Sequence, residues 1–103
     1  MLTAQEAKER STRAIDIQKT LEFNKGIALI ERAIESSICK GKYKCIISVK
    51  ITDNLYTKDE KKLFQEKIEQ TIASFGYKIT LARETEGSGN TFFYDYIISW
   101  EKI

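Results

Sequence analysis

Side chains able to carry chemistry are few in this chain, and the type most often used is missing: its 103 residues include no histidine. The commonest general base and metal ligand is thereby removed, together with the only side chain that titrates unperturbed near neutrality. Cys39 and Cys45, the two cysteines, have no other Cys or His with which to complete a four-ligand zinc site, so no metal is expected. Cys45 falls on the apolar side of an alternating segment. Cys39 falls near the end of a helical segment, whose negative pole disfavours a thiolate nucleophile. The candidate acids are Asp53, Asp59, Glu60, Glu84, Glu86 and Asp95. Of these only Asp95, alternating with Ser99, stands near both rings and hydroxyls, and no nucleophile–base pair assembles around it. The expected class is non-enzymatic, without a cofactor.

Binding chemistry is better represented. From Ser36 to Thr52 there are four lysines, Lys40, Lys42, Lys44 and Lys50, and no acidic residue. Lys44 and Lys50 share one face of an alternating segment, and Arg83 joins them if the two strands concerned are neighbours. Basic groups beside aromatic rings suit phosphates and stacked bases. The candidate ligand-binding residues are therefore Lys44, Lys50, Arg83, Phe93 and Asp95. The competing reading is a solvated strand face whose lysines protect against aggregation. A formal charge of +2, from 17 basic and 15 acidic residues, is too balanced for a surface that is basic all over, so any anion site must be local. Gly87-Ser-Gly-Asn90 lacks the Lys-Ser or Lys-Thr and the following helix of a phosphate loop, and reads as a hairpin connection.

Several elements must position these groups. Thr3-Ala-Gln-Glu6 reads as a capping box that starts a helix near Ala4. The chain has no proline, and Gly41 after Lys40 offers a left-handed stop, so one helix from Ala4 to Lys40 is expected. At about 1.5 Å per residue it would be roughly 55 Å long, about twice the diameter of a compact domain of this size. Its second half carries a core-facing stripe, Phe23, Ile27, Ile30, Ile34 and Ile38, widened by Leu29 and Ala33. Its first half carries small residues at the same spacing, with Ile15 and Ile17 flanking. Ala7, Ser11, Ala14 and Leu21 on that half are the candidate oligomerisation residues. Asn24-Lys25-Gly26 between the stripes predicts a kink or break.

Tyr43 to Ile51 alternates as a strand, with Cys45, Ile47, Val49 and Ile51 on one face. A second capping box, Thr57-Lys-Asp-Glu60, opens a helix carrying Leu63, Phe64, Ile68, Ile72 and Phe75 as far as Gly76. Tyr77 to Glu84 and Thr91 to about Glu101 complete the set as strands. The last has apolar bulk on both faces, and Phe93 and Ile97 join Ile46 on the side away from the helices, where an exposed apolar patch usually marks a binding surface. The expected fold class is α+β: a long N-terminal helix followed by β-α-β-β, forming a three-stranded mixed sheet with the helices on one face. Residues 1–22 are expected to form a helical arm that pairs with another copy, and residues 23–103 a single α+β domain. The first 13 residues lack the apolar run of a signal peptide, and nothing approaches the ~20 apolar residues of a membrane span. The expectation is a cytoplasmic protein with reduced thiols and no membrane partner.

Met1-Leu-Thr-Ala-Gln-Glu-Ala7, the isoleucines of the helix ending in Gly41-Lys-Tyr43, the Phe75-Gly-Tyr-Lys78 step and the ending Tyr96-Ile-Ile-Ser-Trp100 together resemble small proteins encoded by tailed bacteriophages and prophages. The resemblance spans most of the chain. It implies a role in virion assembly or in host takeover within the host cytoplasm, and no functional residue carries over from it. Three functions follow. The first is a homo-oligomer that sequesters a small anionic, nucleotide-like ligand, as in inhibition of host defence. The second is a virion structural or accessory protein with other virion proteins as partners. The third, disfavoured by the small net charge, is a weak nucleic-acid binder using Lys40, Lys42, Lys44, Lys50 and Arg83.

Overall fold

Thr3 begins the first helix as its sequence requires: its hydroxyl accepts the Glu6 backbone N–H at 3.1 Å. The structure, a computed structural model, describes residues 1–101. Helix α1 then runs without interruption over Ala4–Cys39. It stops where expected, at Gly41 with φ +71°. The Lys42 N–H bonds the Ser37 carbonyl and the Gly41 N–H bonds the Ile38 carbonyl, both at 2.9 Å, which is a Schellman closure.

The break expected at Asn24-Lys25-Gly26 is absent. Gly26 is buried, and a Cβ placed there would lie 3.0 Å from Val49 Cγ1 and 3.5 Å from Ile68 Cδ1. The glycine is therefore a point of close approach between α1 and the layer beneath it. Packing against that layer offsets the roughly 1 kcal/mol that glycine costs a helix interior.

Strand β1 (Lys44–Thr52) follows, then a 3-10 turn at Asp53–Leu55, helix α2 (Lys58–Ala73), strand β2 (Lys78–Glu86) and strand β3 (Thr91–Ser99). The capping box of α2 is complete, with Thr57 and Glu60 each bonding the other's backbone N–H. The fold class is α+β, as expected. The sheet differs in one respect from the expectation of a mixed sheet. Its order is β1-β3-β2, and β3 pairs antiparallel with both neighbours. β1 and β2 do run in the same direction, but β3 lies between them and all the ladders are antiparallel. The strand with apolar bulk on both faces has taken the central place, where both faces are best shielded.

The core lies between the helices and one face of this sheet. Ile30 and Ile34 of α1, and Phe64, Ile68 and Ile72 of α2, close over Val49, Ile51, Tyr94, Tyr96 and Ile98. Phe64 is its aromatic hub. Its ring stacks on Tyr94 at 5.9 Å between centroids and meets Tyr56 and Phe23 edge-on at 5.6 and 6.1 Å. Tyr94 keeps its hydroxyl paired, donating to the Lys61 carbonyl at 3.0 Å, and burial pushes its pKa up to about 12. Ile38, the last residue of the expected core stripe, is 54% exposed and lines an open groove beside Ile72 and Phe75.

Candidate functional site

Two surfaces remain after the core is closed, and both were legible as candidates: the free part of α1 and the uncovered face of the sheet. Every residue of α1 from 4 to 18 is exposed. The molecule is accordingly elongated, 58 × 25 × 22 Å. Ala7, Ser11 and Ala14 lie on this free part, with Leu21 at its root. Ile17 and Leu21 are 60% and 56% exposed.

The arm leaves the body earlier than the expected boundary at residue 22. Lys19 pairs with Glu60, at the start of α2, and its ammonium lies 5.4 Å from the Tyr56 ring centre. One turn on, the Glu22 carboxylate accepts the Thr52 N–H at 3.2 Å, the Thr52 hydroxyl at 2.6 Å and the Tyr56 hydroxyl at 2.9 Å. Burial and the adjoining Glu22 carboxylate both push the Tyr56 pKa up. Lys19 and Glu22 thus belong to the body and fix the direction in which the arm projects.

The open sheet face is a grid set by the register. Lys44, Ser99 and Lys78 form one row across β1, β3 and β2; Ile46, Ile97 and Thr80 form the next. Ser48, Asp95 and Arg83 form the third row, and Lys50, Phe93 and Thr85 the fourth. Arg83 reaches this face only through an irregularity. Tyr77, Ile79 and Leu81 alternate toward the core, so strict alternation would send Arg83 inward too. The register shift between Leu81 and Arg83 inserts Ala82 and turns Arg83 outward, opposite Asp95.

Within the grid, Asp95 is the only carboxylate, and it is occupied. The Ser48 hydroxyl donates to its Oδ1 and the Arg83 Nε donates to its Oδ2 at 3.0 Å. The Ser48 hydrogen bond first, and then Arg83, hold its carboxyl below the ordinary 3.8. No ion pair engages Lys44, Lys50 or Lys78 among the described residues. The Arg83 side chain remains 72% exposed while its Nε is bound, so its terminal N–H groups face solvent. The face carries a surplus of positive charge around one half-buried ring, Phe93. That ring rests on the hairpin: a Cβ at Gly87 would come within 2.5 Å of Phe93 Cε2.

The five expected ligand-binding residues all lie on this face, but they are not one cluster. Lys50, Phe93, Asp95 and Arg83 occupy adjacent rows, but the strands of Lys50 and Arg83 are not the neighbours that the expectation required, because β3 lies between β1 and β2. Lys44 stands six residues along β1 from Lys50, about 20 Å away. It is grouped instead with Lys78, which sequence reasoning did not single out and which only the position of β3 brings opposite. A groove of about 740 Å³ lies beside Lys44, lined also by Ser36, Ser37, Lys42 and Tyr43. It sits at the C-terminal, negative end of α1, which favours cations over anions. The two thiols lie apart from the grid. Cys39 is exposed at the end of α1, and Cys45 is buried on the core face, where desolvation raises its pKa.

No helix among the described residues is long and apolar enough to cross a membrane. No protein-family model matches this chain, and no curated protein or solved structure matches it either.

Proposed function

We propose that this protein is a non-enzymatic, homo-oligomeric binding protein whose open sheet face takes up a small anionic, nucleotide-like ligand. The observation that carries the reading is the cationic excess of the grid, where Asp95 is neutralised in place while Lys50 and the outer N–H groups of Arg83 stay free beside Phe93. A phosphate would be held between Lys50 and Arg83 by charge-assisted hydrogen bonds, and a base would lie against Phe93 and its apolar neighbours. The resemblance to small phage-encoded proteins fits such a role, since removal of a host nucleotide signal inhibits a defence.

Calorimetry with a panel of mono- and cyclic nucleotides tests the reading. Lys50→Ala and Arg83→Ala are expected to weaken binding at least tenfold each, and Lys44→Ala far less. If the intact protein binds no nucleotide of the panel, sequestration is overturned and a virion role takes its place. Native mass spectrometry of protein taken from expressing cells reports the oligomer and any retained ligand together.

A further inference from the structure

Charged and apolar residues recur at three- and four-residue spacing along the whole exposed side of α1, and their order reverses from one end to the other. Past Glu6, which also lies on it, the line carries Arg10 and Arg13 near the N-terminus, and Glu31 and Glu35 near the C-terminus. Between them stand Ile17, Leu21, Asn24 and Ala28. At about 100° per residue these positions fall within an arc of roughly 80°, centred about 120° round the helix from the side that Ile30 and Ile34 bury. All of them but the partly buried Ala28 are exposed. No ion pair engages either arginine or either glutamate among the described residues.

We infer that two copies of this chain pair through α1, antiparallel and about a twofold axis near residues 22 and 23. This deepens the homo-oligomeric part of the function proposed above and rests on it. In that register Arg10 faces Glu35 of the partner subunit, and Arg13 faces Glu31 of the partner subunit. Ile17 meets Ala28 of the partner subunit, and Leu21 meets Asn24 of the partner subunit. The symmetry repeats each contact, so the patch is complementary to itself. A parallel arrangement would set arginine against arginine and glutamate against glutamate. Glu31 and Glu35, spaced by four, also repel each other within their own helix, and arginines from a second copy relieve that conflict.

Exposed ion pairs are individually weak, so the apolar middle supplies the attraction and the charged ends choose the direction. The small side chains Ala7 and Ala14 border the line beside Leu21 and let the backbones approach. Beyond the acidic end, the seam runs into a groove of about 300 Å³ between α1 and α2, where Ile38, Phe75 and Tyr77 are placed to cover the first turn of the second copy's arm. The open sheet face is a poorer candidate for self-pairing. Stacked face to face it would bring Lys44, Lys50 and Lys78 of both copies together.

The test uses two charge variants, R10E/R13E with an all-acidic seam and E31R/E35R with an all-basic one. The wild type is expected to sediment as a dimer, each variant alone at half that mass, and an equimolar mixture as a heterodimer. The fourfold swap R10E/R13E/E31R/E35R should restore the homodimer, and circular dichroism confirms folding of each variant since all four side chains are exposed. A wild type that is monomeric overturns both this pairing and the homo-oligomeric reading. A wild type that is oligomeric, with variants that keep its mass or do not complement on mixing, overturns the antiparallel seam alone.

Discussion

The two faces of the sheet are built from alternate residues of the same strands, yet they are ordered by different forces. On the covered face, Tyr94, Tyr96 and Ile98 are almost completely removed from water and are held by shape against α1 and α2. On the open face, their immediate neighbours Phe93, Asp95 and Ile97 are held by a hydrogen-bonded ion pair, a glycine contact and a cross-strand isoleucine pair. The first arrangement supplies stability, and on it the buried Tyr96 hydroxyl is left without a hydrogen-bond partner. The second leaves cations and apolar area in solvent.

Substitutions on the two faces break or sharpen this contrast. The largest effect is expected in the covered layer: Ile68→Ala empties a fully buried site and should cost about 2–5 kcal/mol in urea unfolding. Next is the clamp at the root of the arm. Glu22→Ala removes the acceptor for three donors and should cost about 1–3 kcal/mol, with faster amide exchange at Thr52 as the local signature. Asp95→Asn acts on the open face and is pH-dependent. Because the folded carboxyl titrates below its ordinary 3.8, its stabilisation is present above that value and lost as pH falls through the lower, folded value. The variant should therefore be less stable than wild type near neutrality, and the difference should vanish in strong acid. A difference that stays constant over that range would mean the ion pair is not formed. The smallest effect belongs to Ile97→Ser, within about 0.5 kcal/mol for an exposed site. A loss as large as that of Ile68→Ala would show that the open face is covered in solution.

The sequence signals that proved readable were local ones. The two capping residues Thr3 and Thr57, the Gly41 stop and the two-residue alternation of β1 each depend on neighbours within a few positions, and each placed its element to within a residue or two. What escaped depends on residues far apart in the chain. Gly26 reads as a helix breaker until Val49 and Ile68 are known to press against it. Arg83 reads as inward-facing unless one residue is inserted into the strand before it, and nothing in Leu81-Ala82-Arg83 announces a bulge. Lys78 gained its place beside Lys44 only when β3 took the middle of the sheet. Glu22 looks like one more surface acid of a long helix. Its two partners, Thr52 and Tyr56, lie thirty or more residues away.

Glu22 has a consequence for how the sheet can grow. Asp53 and Tyr43 direct their backbone groups toward β3, through bonds to Asn90 and Trp100, so the alternate residue Thr52 turns its N–H outward. That outward N–H is the donor Glu22 takes. A foreign strand laid along β1 would find this end of the ladder already occupied by a side chain, which is how sheets are kept from extending into fibres. With that N–H taken by Glu22, the Thr52 end of β1 is closed to a further strand by a side chain of its own helix.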